Sequence, residues 1–358
     1  MSGSDPRVAL QKVRRIVVKI GSSSLAHDGA HEELARAVAA LRKDGRQIVL
    51  VSSGAIALGT KKLGYRTRPK EMARLQAAAA AGQSLLMRAY EEAFGALGIA
   101  VAQVLLTHAD LADRVRANNA RDALDALLEA RAVPVLNEND SVAIEEIKFG
   151  DNDELSAMVT PLVAGEALVL LSDVEGLLDA SGARVPIVRD VAVEALPLVR
   201  KQKSDAGTGG MASKIEAARR ATLAGAHVVI ADARKVNVLG RIFAGEDEGT
   251  VFVAAGKRLP AKKHWIAFTL RPRGDLWLDA GAAAAVRNKG TSVLAVGVAG
   301  VRGDFQAGDS VRLLAADGVE IGRGLARCSS TDAVLLAGRK GVNEAEAVLV
   351  HRDDLVVW

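Results

Sequence analysis

The sequence predicts an α/β protein: a three-layer αβα sandwich around a mainly parallel sheet, followed by a small C-terminal β-barrel-like unit. Three observations carry this. Six near-continuous apolar runs, at 15–20, 47–53, 100–106, 132–137, 167–173 and 227–232, read as strands buried on both faces, as in a parallel sheet. Between them lie helical stretches at His31–Lys43, Glu71–Leu97, Asn118–Ala130, Asp153–Val163 and Met211–Ala224, so strand and helix alternate. After about residue 260 the pattern changes to short runs broken by Gly and Asp turns.

These signals place a first domain at 12–258, a basic, Pro-containing linker at 259–273 and a second domain at 274–355. In the second, DLWLDAG, SVLAVGVAGV, DSVRLLAADGVEIGRG and DAVLLAG are expected strands, with one short helix near Ala282–Asn288. A length of 358 residues agrees with two domains, at roughly 100–200 residues each.

Composition excludes several classes. Apolar residues make up 49%, enough for a core and too many for a disordered chain. Forty-seven basic against 43 acidic residues give only +4, and 3% aromatics leave few stacking platforms, so nucleic acid is not an expected partner. The single cysteine, Cys328, excludes an internal disulfide and a Cys-based zinc site. No apolar run approaches the ~18–20 residues of a membrane span, and charge interrupts the first residues before a signal-peptide core forms. A cytoplasmic protein without a membrane partner is expected.

In open α/β sheets ligands gather at the carboxyl ends of the strands, so the residues just after each run matter most. Lys19-Ile20-Gly21-Ser22-Ser23-Ser24 ends the first run. Its small residues would let backbone amides approach a phosphate beside a lysine, and it reads equally as a tight strand-to-helix turn. Ser52-Ser53-Gly54-Ala55 opens a helix, suiting an anionic group or an ordinary cap. Asn137-Glu138-Asn139-Asp140, an expected hairpin and then Asp151-Asn152-Asp153-Glu154 gather eight polar residues around the end of a buried strand. Amides and carboxylates together can recognise a zwitterionic amino acid. Finally, Gly207-Thr208-Gly209-Gly210-Met211-Ala212-Ser213-Lys214 sets a glycine loop and a lysine at a helix start, as a nucleotide-phosphate cradle would.

Neither G-x-x-x-x-G-K-[ST] nor a G-x-G-x-x-G after the first strand occurs, and the six histidines form no metal-ligand spacing. Two lysines and a glycine-rich helix start suit phosphoryl transfer, where the protein positions reactants and neutralises charge. Mg²⁺ is expected, held largely by nucleotide phosphates, with no protein metal ligand assigned. A carboxylate acceptor would need no general base, since a side chain of pKa ~4.3 is already ionised.

VVKIGSSSL, VSSGAIALG, ARDALDALLEARAVPVLNENDSVAIEEIKFGDNDELSA, LLSDVEGL and GTGGMASKIEAARRATLAG together resemble the glutamate 5-kinases of the amino acid kinase family. The C-terminal GDLWLDAGAAAAV, GVRGDFQAGDSVRLL and GVEIGRGLA resemble a PUA domain. The resemblance implies the amino acid kinase fold and ATP-dependent phosphorylation of the L-glutamate side-chain carboxylate to L-glutamyl 5-phosphate, opening proline biosynthesis. Carried over by position, it implies Lys19 and Lys214 flanking the transferring phosphoryl group, with Asp153 holding both by ion pairing. Ser53, Asp140 and Asn152, with Asn137 and Asp151 nearby, would bind glutamate. Lys19, Ser172, Asp173, Thr208, Gly209, Gly210, Met211, Ala212, Ser213 and Lys214 would contact ATP.

The same resemblance implies inhibition by proline, a homo-oligomer (dimer or tetramer) and an association with glutamyl phosphate reductase. The chain departs from common family wording at Gly21-Ser22-Ser23, at Ser52-Ser53 and at Ala212-Ser213-Lys214, keeping a small or hydroxyl residue each time. An acetylglutamate or UMP kinase is the neighbouring enzyme reading, and RNA binding through the C-terminal unit is a reading of another class.

Overall fold

A computed structural model of the chain describes residues 5–142, 152–202, 210–256, 259–339 and 347–358. The chain divides into two compact units, Met1–Arg258 and Leu259–Trp358. In the first, β1 (Arg15–Ile20), β2 (Gln47–Ser52), β3 (Val101–Leu106), β4 (Val133–Glu138), β5 (Ala167–Ser172), β6 (Ile187–Val188), β7 (His227–Asp232) and β8 (Thr250–Phe252) form one sheet. Its order is β3-β4-β2-β1-β5-β7-β8-β6. The six strands from β3 to β7 run parallel, and β8 returns antiparallel to β7. The expected mainly parallel sheet is present.

The principal helices are α1 (Ala30–Lys43), α2 (Ala55–Lys62), α3 (Met72–Gly95), α4 (Arg114–Glu129), α5 (Asn152–Leu162), α6 (Gly210–Leu223) and α7 (Val238–Ala244). Side chains alternate across the sheet at period 2. Ile16, Val18, Ile20, Ile48, Leu50, Val133 and Val135 pack with α1, α3 and α7 in one core. Val17, Val49, Val51, Leu136, Leu168 and Leu170 pack with α4, α5 and α6 in the other. These are the three layers. The alternation also decides where the polar residues at the strand ends point. Lys19 shares the face of Val17, toward α5 and α6, whereas Ser52 and Asn137 share the face of Leu50 and Val135, toward α3.

Helices α2 and α3 touch backbone to backbone. A Cβ on Gly59 would stand 1.7 Å from the Ala78 carbonyl oxygen, and one on Gly82 would stand 1.8 Å from that of Ala55. Glycine at both positions is therefore a packing requirement, and it presses the turn after β2 against α3.

The second unit holds β9 (Gly274–Leu278), α8 (Ala280–Lys289), β10 (Val293–Leu294), β11 (Val298–Gly303), β12 (Ser310–Leu314), β13 (Glu320–Ala326), α9 (Ser330–Leu336) and β14 (Val348–Val357). Its sheet runs β10-β14-β13-β12-β9-β11 around Leu276, Phe305, Val311, Leu313 and Ile321. Two expectations change here. DAVLLAG was expected as a strand, but it forms most of α9. Ser329 caps this helix by accepting from the Asp332 amide, and Ala333 is buried in the core. Local capping thus outweighs a β-like composition.

Residues 259–273 were expected as a linker. Instead 261–269 are helical within the second unit: Ile266, Ala267 and Phe268 are buried, and Arg323 Nη1 donates to the Ala267 carbonyl at 2.8 Å. Among the described residues, no helix is long and apolar enough to cross a membrane.

Candidate active site

Because β3, β4, β2, β1, β5 and β7 are parallel, the ends of all six open on one edge of the sheet. The turn after β1, the turn after β2 and the start of α5 meet there. The centre of the site is a buried ion triad. Asp153, fully buried as the second residue of α5, puts Oδ1 at 2.5 Å from Lys19 Nζ and Oδ2 at 3.0 Å from Lys214 Nζ. Lys19 arrives from the penultimate position of β1 and Lys214 from one turn into α6. Burial opposes the charge on Asp153, but the two ammonium groups outweigh it and hold the carboxyl below the ordinary aspartate range. A helix N-terminus adds to this by favouring an anion.

A second clamp joins the same two helices. Glu154 accepts from Arg220 Nη1 at 2.6 Å, and Arg220 Nε donates to Glu216 at 3.1 Å. Helix α5 is thereby fixed to α6 at two successive residues.

Beside the triad is a cavity of about 370 Å³. Ser53, Asn137, Asp140 and Asn152 line it, so the structure brings four of the five expected glutamate-binding residues to one place. Asp151 lies outside the described residues. Asn152 is the most constrained of the four. Its Nδ2 stands 2.7 Å from the Ser52 carbonyl, 2.8 Å from Ser53 Oγ and 3.0 Å from Asn137 Oδ1. Gly54, at φ 113°, makes the turn that carries Ser53 into the cavity.

Ser172 ends β5 and donates to Asp173 Oδ1 at 3.1 Å. Gly210, Met211, Ala212, Ser213 and Lys214 form the first turn and a half of α6. Met211 and Ala212 pack their side chains against the core. Thr208 and Gly209 lie outside the described residues. No group of three or more His, Cys, Asp or Glu side chains that could hold a metal occurs among the described residues.

Sequence reasoning missed several neighbours. Arg66, Thr67 and Arg68, between α2 and α3, line the cavity with positive charge. Nothing local marks them, because their role comes from the fold of that loop. Asp232 and Arg234 stand at the end of HVVIAD, a strand the sequence predicts, where ligands of open α/β sheets gather. Arg234 Nη2 pairs with Asp232 Oδ2 at 2.7 Å and reaches the Asp173 carbonyl at 2.9 Å, tying the ends of β7 and β5 together.

Comparisons with known proteins give the family. The amino acid kinase family matches residues 14–232, and the PUA domain matches residues 274–348. A glutamate 5-kinase of Cupriavidus pinatubonensis is 46% identical, over 97% of this chain and 99% of the relative. One of Chromobacterium violaceum is 47% identical over 96% and 97%. Among solved structures, N-acetylglutamate synthase of Neisseria gonorrhoeae superposes with TM-score 0.53 at 16% identity, covering 71% of this chain and 63% of that one. Giardia carbamate kinase gives 0.50 at 14%, covering 68% and 100%; these two likenesses concern the fold alone. The chain therefore belongs to the amino acid kinase family, among the glutamate 5-kinases, and carries a PUA domain.

Proposed function

We propose that the chain transfers the γ-phosphoryl group of ATP to the side-chain carboxylate of L-glutamate, giving L-glutamyl 5-phosphate and ADP, the first step of proline biosynthesis. The observation that carries this is the pairing of Lys19 and Lys214 with one carboxylate next to a cavity lined by Ser53, Asn137, Asp140 and Asn152. A carboxylate oxygen of glutamate attacks phosphorus, the bond from phosphorus to the β-bridging oxygen breaks, and ADP leaves. No proton moves, because the acceptor is already ionised.

In this reading Lys19 and Lys214 stabilise charge on the transferring group, and Asp153 keeps both aimed. Asp140 and the amide oxygen of Asn152 take the α-ammonium, with Asn137 beside them, and Ser53 offers a hydroxyl to the α-carboxylate. Arg66 and Arg68 give the cavity wall a positive character suited to an occupant of net charge −1. Ser172, Asp173 and the 208–214 segment receive the nucleotide, with Mg²⁺ neutralising its phosphates.

The reading extends to feedback by proline, which shares the α-carboxylate and would compete for the same cavity. It includes a homo-oligomer, a cytoplasmic location and delivery of the labile acyl phosphate to glutamyl phosphate reductase. Its support is the resemblance of the whole chain to glutamate 5-kinases. The test is ADP release with glutamate, trapping the acyl phosphate with hydroxylamine. Glutamate-dependent ADP and hydroxamate in equal amounts are expected, and their absence would overturn the reading.

A further inference from the structure

We infer that Gln83 and Tyr90 are positioning residues: from helix α3 they fix the orientation of the Asn152 amide in the cavity, an inference resting on the functional reading above. The two residues are seven apart, two helical turns, and so lie on one face of α3. Each reaches a different strand end. Tyr90 OH, fully buried, donates to Ser52 Oγ at 2.8 Å, and Gln83 Oε1 accepts from Asn137 Nδ2 at 2.9 Å. Strand alternation turns Ser52 and Asn137 toward this helix face.

Donors and acceptors then fix every amide in the chain of contacts. The Glu138 backbone N–H donates to Asn137 Oδ1 at 2.9 Å, so Asn137 must present its nitrogen to Gln83. The Ser52 carbonyl can only accept, so Asn152 must present its nitrogen there, at 2.7 Å. Asn137 Oδ1 also accepts from that nitrogen, at 3.0 Å. With Nδ2 committed to protein acceptors, Oδ1 is the Asn152 atom left for an occupant. An acceptor at that point calls for a donor, and the α-ammonium of an amino acid is one.

The brace has a visible cost. Gln83 Nε2 is buried with no hydrogen-bond partner among the described residues. Gln83 is thus oriented by Asn137 at the expense of its own donor. Tyr90 is held from its other side by His31, whose ring meets it edge-on at 5.0 Å between centroids. The close contact of Gly82 with the Ala55 carbonyl fixes the level of α3 at the residue before Gln83.

The experiment compares wild type with Tyr90→Phe, which keeps the ring, and Gln83→Met, which keeps the length. Ser52→Ala removes the Tyr90 acceptor without touching the helix. Each is expected to raise the KM for glutamate about 10-fold, the effect of one lost hydrogen bond, with kcat and the KM for ATP held within about 2-fold. A second readout needs no substrate: in protein labelled with ¹⁵N-asparagine, the Asn152 side-chain amide should exchange with solvent faster in all three variants. Folded variants with unchanged glutamate KM and unchanged Asn152 exchange would overturn the inference. If wild type shows no glutamate-dependent turnover, the functional reading falls, while amide exchange still decides whether the brace exists.

Discussion

Lys19 and Lys214 are bound to the two oxygens of one carboxylate, that of Asp153, at 2.5 and 3.0 Å. One lysine comes from the central strand and the other from a helix far along the chain. The buried anion and the two ammonium groups compensate one another's charge. Removing the anion leaves like charges facing each other with no counter-ion. Asp153→Asn should therefore cost about 3–5 kcal/mol in urea unfolding. A loss under 1 kcal/mol would mean that the triad does not hold α5 to the sheet.

The pH dependence of that stability has a definite sign. The Asp153 carboxyl titrates below its ordinary value of 3.8 in the folded state. Its contribution is therefore complete above that value and is lost as pH falls through the folded pKa. The difference in melting temperature between wild type and Asp153→Asn should be flat from about pH 5 to pH 8 and should shrink below pH ~3.8. A difference that shrank between pH 5 and 8 would point to another group.

The contact of α2 with α3 gives a paired prediction on a single helix. Gly82→Ala places a Cβ 1.8 Å from the Ala55 carbonyl oxygen, so α2 must move; Gly95→Ala meets nothing within 4 Å. The first should destabilise by about 2 kcal/mol or more and raise the glutamate KM, since Ala55–Ala57 line the cavity. The second should be neutral or stabilising by up to about 1 kcal/mol. Thermal melts check both, and equal effects would contradict the packing account.

Asn152 makes three contacts at the cavity wall, so Asn152→Ala removes the proposed glutamate contact and leaves the Ser52 carbonyl and Asn137 Oδ1 short of a donor. The expected result is a glutamate KM raised by about 10–100-fold, with the ATP KM nearly unchanged. An equal rise in both would place Asn152 at the nucleotide instead.

The apolar runs made the first unit legible. All six expected strands formed within a residue or two; five are buried on both faces and so almost wholly apolar, whereas β3, at the sheet edge, is only half-buried and exposes Gln103. The polar cluster after the fourth run was legible for the same reason: packing does not explain Asn137, Asp140 or Asn152. What escaped was whatever depends on tertiary approach. Arg66 and Arg68 sit in an unremarkable loop, Gln83 and Tyr90 in an ordinary helix, and only the fold brings the first pair to the cavity and the second to Asn137 and Ser52. Likewise, α9 was misread because a capping serine decided a segment whose composition favoured a strand.

The central claim, that Lys19 and Lys214 jointly stabilise the transferring phosphoryl group, is tested most directly by kcat for Lys19→Ala and Lys214→Ala at saturating glutamate and ATP. Each should fall by at least ~100-fold while glutamate binding, measured by calorimetry, stays within a few-fold of wild type. Turnover within 2-fold of wild type in either variant would contradict the account.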